Sequence, residues 1–283
     1  MMPRTIMVPL TGSAASEAAL GTAFDLAGHW SGHVLALCVK PDPRDAAYLV
    51  TDTVSGRVVE EVLRAVERES EQRAAAARAL FDRVLADAGR AAGRSKPSAA
   101  LEDVVGQDTD FIPAFGRTAD LIVVPRPAKA TAPADDSALE AALFSSGRPV
   151  LVPPAERAAA LAERAVVLWN DTVEGARAVA GAAPFLVRAG RVDIAVADEG
   201  RDGAASAARL VANLMRHGIA AESTTIELGV KSAGEVLHGF VAERGATLVV
   251  MGAYGHSRLR EFVLGGVTRH MLATPGPALL MAH

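Results

Sequence analysis

The sequence predicts an α/β protein built from two doubly wound domains, each with a five-stranded parallel sheet. Three observations carry that expectation. Short apolar runs alternate with Ala-rich amphipathic stretches, the pattern of strands joined by right-handed helical crossovers. The alternation begins again after the Pro-rich segment Pro153–Arg157. Apolar residues make up 50% of the 283 residues and aromatics only 4%. The core must then be built from Ala, Val and Leu, which suits buried parallel strands covered by small-residue helices. The length allows two domains of ordinary size, here expected over 1–153 and 160–283.

Thr5–Leu10 is a short apolar strand, and Ala14–Ala27 is helical, with Leu20, Phe24 and Ala27 at helical spacing and Ser13 as N-cap. His33–Val39 is the second strand. Arg44–Ser55 is irregular and is expected to form a flap over the sheet. Val58–Ala88 carries Val59, Leu63, Val66, Leu80, Val84 and Leu85 among regular charges, which predicts a long amphipathic helix. Ala99–Val105 is a third strand, Thr109–Gly116 a short helix and Asp120–Val124 a fourth strand. Ser137–Phe144 is helical, and Pro149–Val152 is a closing strand.

The second half repeats the plan. Ala165–Trp169, Val192–Ala197, Glu222–Glu227, Thr247–Met251 and Ala278–Met281 are strands. Ala-rich segments after Thr172, Ala204–His217, Gly234–Arg244 and the stretch from Val267 are helices. Leu10–Ser13 matches Trp169–Thr172, Asp120–Val124 matches Thr247–Met251, and Gly147–Val152 matches Gly276–Met281. This is an internal repeat of one β-α-β domain.

The stretch 246–281 organises the chemistry. Gly252 and Gly255 bound a loop just past a strand's carboxyl end, and Gly265 and Gly266 precede a helical run. Ligands of open parallel sheets sit in that crevice. Glycines let backbone N–H groups approach a phosphate, and a helix amino end adds unpaired donors. The spacing Gly-x2-Gly-x9-Gly at Gly252, Gly255 and Gly265, set between strand and helix, resembles the signature of nucleotide-binding universal stress proteins. The chain is similar to a tandem universal stress protein over nearly its whole length. The resemblance implies Rossmann-like domains of the adenine nucleotide alpha hydrolase-like type.

It also implies an adenine nucleotide, ATP or AMP, as ligand, with Mg2+ accompanying ATP. The implied binding positions are Leu168, Val196 and Met251 beside the base or ribose, Asn170 at the end of the first strand, and Gly252, Gly255, Gly265, Gly266 and Thr268 around the phosphates. Two positions depart from the family's binding form. Gly266 stands where that form has Ser or Thr, with Thr268 close by, and Asn170 stands where it has Asp. In the first half Pro125 occupies the position of Gly252, and Thr11 that of Asn170. No glycine lies between Arg117 and Ser146. Proline lacks an N–H and fixes φ, so nucleotide is expected in the second half only, and the first half reads as a degenerate copy.

Other features are blander. His256 and His270 show no metal spacing. Arg258, Arg260 and Arg269 fit either phosphate screening or a solvated helix face. Asp171 suits a turn or N-cap, with a Mg2+ role as the alternative. Ser13 has no His and acid partner in the pattern of a hydrolase triad, no Walker sequence occurs, and no general base stands beside the loop, so at most a weak ATPase is expected. Cys38, the single cysteine, lies in an apolar run and reads as a buried core residue. Net charge is -4 and the pI about 6.0, which gives no basic stripe for nucleic acid. No signal pattern opens the chain and no apolar run approaches the ~20 residues of a membrane span. A cytoplasmic stress-response sensor or regulatory module is expected, its halves forming an intrachain pseudo-dimer as the family's closing strands do, with a homodimer of whole chains also open. The rival reading is a family member that has lost nucleotide and serves as a structural or protein-interaction module.

Overall fold

A computed structural model describes residues 2–11, 13, 15–44, 56–89, 97–127, 133–156, 161–198, 203–253 and 266–283. These residues contain ten strands and eight helices, and they divide into two compact units. One unit comprises Pro3–Pro125 and Ala132–Ser146. The other comprises Gly147–His283 with Arg126–Thr131 and Met1–Met2.

The first unit runs β1 (Thr5–Pro9), α1 (Ala15–Trp30), β2 (His33–Lys40), α2 (Gly56–Ala88), β3 (Ser98–Val105), α3 (Asp108–Gly116), β4 (Leu121–Val123) and α4 (Pro133–Ser145). Its strands lie in the order β3-β2-β1-β4, and every pairing is parallel. The apolar runs are buried because helices cover both faces of such a sheet. Ile6, Met7, Leu37, Leu121 and Ile122 form its centre. Helix α1 packs closely through small residues, among them Ala19, Ala23 and Ala27, each fully buried. Helix α2 buries only Ala77, Phe81 and Val84, with Phe81 tilted against Phe24 at 6.2 Å between ring centroids. Its exposed side carries the i,i+4 pairs Arg57–Glu61 and Glu60–Arg64, each worth about 0.3–0.5 kcal/mol, and a third pair joins Glu69 to the half-buried Arg73. Cys38 is fully buried in β2, and burial pushes its thiol up to about 11. The expected flap falls almost wholly outside the described residues.

The second unit runs β5 (Val150–Val152), β6 (Arg164–Leu168), α5 (Val173–Leu186), β7 (Arg191–Ala197), α6 (Gly203–Arg216), β8 (Ala221–Ile226), α7 (Ala233–Glu243), β9 (Leu248–Gly252), α8 (Gly266–Ala273) and β10 (Ala278–Ala282). Strands β10-β9-β6-β7-β8 are parallel. Strand β5, the closing strand of the first repeat in sequence, pairs antiparallel with β10, Leu151 opposite Leu280. All six residues in that register except Leu279 (1%) are fully buried, so their apolar character is required.

The repeat is visible in register. Ile6 faces Leu121 as Ala165 faces Leu248. At the foot of each pair one polar side chain ties down the neighbouring strand. Asp120 accepts from the N–H groups of Arg4 and Thr5, at 2.8 and 2.9 Å. The Thr247 hydroxyl accepts from the Arg164 N–H at 3.1 Å and donates to its carbonyl at 3.2 Å.

Candidate functional site

The sheet of the second unit reverses direction at β6. The chain proceeds from β6 to β7 and β8 on one side, then crosses to place β9 and β10 on the other. Ligands of such sheets sit beyond the carboxyl ends of the strands at the reversal point, here the ends of β6 and β9. Leu168 and Met251 are register partners at that edge. Val196 follows Ala195, the partner of Leu168 on β7. All three are buried at the carboxyl edge of the sheet.

The turn from β6 into α5 is held by its own side chains. The Trp169 N–H donates to the Ala195 carbonyl at 2.9 Å, and its indole N–H donates to Ser206 Oγ on α6 at 2.8 Å. Both side chains are buried, so each polar atom meets a partner, as burial demands. Asn170 is exposed, and its Oδ1 accepts from the Thr172 hydroxyl at 3.0 Å. Asp171 lies at φ 53°, a left-handed conformation that Asp tolerates better than most residues. Its carboxylate lies 3.6 Å from Arg209 on α6. Asp171 therefore serves the turn, and the N-cap falls one residue later, where Thr172 Oγ1 accepts from the Gly175 N–H at 3.1 Å.

Gly252 ends β9 against this same helix start. A Cβ there would lie 2.5 Å from the Gly175 nitrogen, 2.9 Å from the Glu174 carbonyl carbon and 3.0 Å from the Gly175 Cα. The missing side chain is thus required by the backbone of α5. Gly266 is different. It opens α8, is exposed, and a Cβ on it would meet nothing within 4 Å. Thr268 is 3% exposed and turns with Met271 and Leu272 into the buried side of α8, so its hydroxyl does not share the open face of Gly266. Gly255, Gly265, His256, Arg258 and Arg260 lie outside the described residues.

Helix α8 rests on α7. A Cβ on Gly234 would come within 2.7 Å of the His270 Cβ, and the His238 and His270 rings meet edge to face at 5.6 Å. His270 is therefore half-buried against its neighbour rather than held out in solvent. Helix α7 begins with a capping box in which Ser232 and Glu235 exchange hydrogen bonds. The Ser232 donors hold the Glu235 carboxyl below its ordinary range. Among the described residues no group of three His, Cys, Asp or Glu side chains could hold a metal.

In the first unit Pro125, buried, takes the place of Gly252. The Thr11 hydroxyl donates to Ser13 Oγ and shares a hydrogen bond with the buried Ser16 hydroxyl, both at 3.1 Å. Sequence reasoning missed the Trp169–Ser206 pair and the capping role of Thr172. The Thr172–Glu174 acidic first turn was the available signal for the cap; nothing in the spacing of Trp169 and Ser206 marks their contact.

A family comparison matches this chain twice, over residues 2–146 and 149–277, and the family matched is described as the universal stress protein family. No curated protein sequence matches the chain. Among solved structures, a universal stress protein from Archaeoglobus fulgidus DSM 4304 is similar at 15% identity and TM-score 0.68, covering 98% of this chain and 95% of its own. A protein of Pseudomonas aeruginosa UCBPP-PA14 gives 13% identity and TM-score 0.55, over 98% and 92% of the two chains. A functionally unknown protein from Pseudomonas aeruginosa PAO1 gives 14% and 0.54 over the same shares. At such identities the likeness is one of fold.

Proposed function

The chain belongs to the universal stress protein family, and from that premise we propose that its second unit binds an adenine nucleotide, ATP or AMP, as a sensor or regulatory module. The observation that carries this reading is the sequence spacing of Gly252, Gly255 and Gly265, whose first member ends β9, the strand beside β6. The base would rest on the apolar edge formed by Leu168, Val196 and Met251. Asn170 would meet the base or ribose through hydrogen bonds, without the charge of the family's Asp. Phosphates would lie toward the glycines and the open start of α8 at Gly266, where helix N–H groups lack intrahelical partners. Mg2+ would enter with ATP, held by phosphate oxygens, since Asp171 is engaged by Arg209.

The work asked of the protein is binding. Turnover would be slow at most, because the sequence sets no obvious general base beside the loop. The cell cytoplasm is the compartment this reading requires, and no described helix is long and apolar enough to cross a membrane.

A second reading, an interaction module without nucleotide, is favoured by Asn170, Gly266 and the burial of Thr268. Calorimetric titration of the wild type, Gly255→Val and Gly265→Val with ATP and AMP decides between them. The wild type is expected to bind, and both variants to lose binding, because a β-branched side chain blocks backbone approach to phosphate. A wild type that gives no heat with either nucleotide leaves the interaction module standing.

A further inference from the structure

Arg126 stands in the sequence Pro125–Arg126–Pro127, directly after β4, yet it belongs to the second unit. Only 7% exposed, its guanidinium donates four hydrogen bonds among the described residues, all to backbone carbonyls. Nε donates to Pro153 at 3.1 Å. Nη1 donates to Met271 at 3.1 Å and Leu272 at 3.4 Å, and Nη2 to Pro277 at 2.6 Å. Burial pushes the group down to about 10, which leaves it charged at neutral pH.

The acceptors are informative. Met271 and Leu272 lie in the last turn of α8, where carbonyls lack intrahelical partners and the helix dipole is negative. Pro153 follows β5 and Pro277 precedes β10. One planar fork therefore binds the carboxyl end of α8 to both closing strands. Helix α8 has eight residues, or about 12 Å of length, so an orientation fixed at one end is fixed at the other. That other end is Gly266.

We propose that Arg126 is a positioning residue, which by clamping the carboxyl end of α8 sets where its amino end stands for the phosphates of a bound nucleotide. The ligand half of this inference rests on the function proposed above; the clamp does not. It gives a use to the first repeat's loop, which carries Pro125 where the second carries Gly252.

Two measurements on full-length wild type, Arg126→Lys and Arg126→Met test it. In hydrogen exchange without ligand, Arg126→Met is expected to speed exchange of the α8 amides about tenfold or more, with β7 and β8 unchanged. In titrations, the same variant is expected to lose about tenfold in ATP affinity while adenosine, which lacks phosphates, changes less than about twofold. Arg126→Lys keeps the charge but not the fork and should fall between; if Arg126→Met does not fold, the Lys variant carries both comparisons. Unchanged exchange in α8 overturns the clamp. ATP affinity that does not fall, or falls in step with adenosine, overturns the positioning role. A wild type that binds neither ligand sinks the proposed function instead, and the exchange result then decides the clamp alone.

Discussion

Gly252→Ala isolates what the first glycine of the motif does. Its Cβ would sit 2.5 Å from the Gly175 nitrogen, whereas unstrained contacts between heavy atoms lie near 3.5–4.0 Å. The end of β9 or the first turn of α5 must then retreat by roughly 1 Å. Backbone, unlike a side-chain tip, cannot swing aside. Overpacking of this kind costs about 1–3 kcal/mol. A retreat of α5 would also open the Thr172 cap, which is worth about 1 kcal/mol. The expected total is about 2–4 kcal/mol, read as a lower urea midpoint for the second unit. Gly266→Ser is the control: its side chain enters open space, so stability should stay within about 0.5 kcal/mol of wild type. If Gly252→Ala unfolds at the wild-type midpoint, the close approach of β9 to α5 is wrong. The consequence for binding studies is direct. Loss of nucleotide in a Gly252 variant would report a displaced helix as readily as a lost phosphate contact, and cannot alone locate the phosphates.

The remaining predictions probe separate contacts. Gly266→Ser should tighten ATP binding by about 0.5–1.5 kcal/mol by adding a hydroxyl at the open start of α8; calorimetry showing weaker binding would remove the phosphates from that end. Trp169→Phe should cost about 1–3 kcal/mol by leaving the buried Ser206 hydroxyl unpaired, and a double-mutant cycle with Ser206→Ala should show coupling. Cys38, with its thiol raised to about 11 by burial, should resist alkylation in the native protein at neutral pH and react on unfolding; rapid native labelling would contradict its burial. The Glu235 carboxyl is lowered by Ser232, so its contribution is present above the unfolded value of about 4.3 and disappears as pH falls through the lower folded value. The stability difference between wild type and Glu235→Gln should therefore be constant at neutral pH and vanish in acid, and a difference that survives to low pH would show that the carboxylate is not what caps α7.

The fold was legible because the central strands are apolar runs set between helical stretches, with the edge strands β3 and β8 the more polar exceptions. Boundaries shift by a residue or two where strand ends are polar, as at Arg164 and Arg191; the largest shift is at the start of α4, which begins at Pro133 rather than Ser137. What could not be read is who touches whom across elements. Gly252 also closes against the Gly175 backbone, a contact that spacing in sequence does not record. Thr268 is buried on α8, which its closeness in sequence to Gly266 does not announce. Arg126 was invisible for the same reason: its acceptors are main-chain carbonyls, which no side-chain pattern announces.

The two switch points show how one repeat can be closed while the other is left open. In register, Thr11, Ser13 and Ser16 of the first unit stand for Asn170, Thr172 and Gly175 of the second. A Cβ on Gly175 would lie 3.0 Å from Asn170 Oδ1, so a side chain there would push the Asn170 amide aside. Ser16 does carry one, and its hydroxyl meets the Thr11 hydroxyl at 3.1 Å, so the residue in Asn170's place is turned toward its own helix. The strand opposite changes in concert: Pro125 replaces Gly252 and withdraws an N–H from the same edge. In the second unit Asn170 and the first residue of α8, Gly266, are both exposed. The difference between the halves is therefore a correlated exchange of polar partners around each β-strand end, and it argues that a ligand, if the second unit takes one, meets a site whose hydrogen-bonding groups the first unit has turned inward.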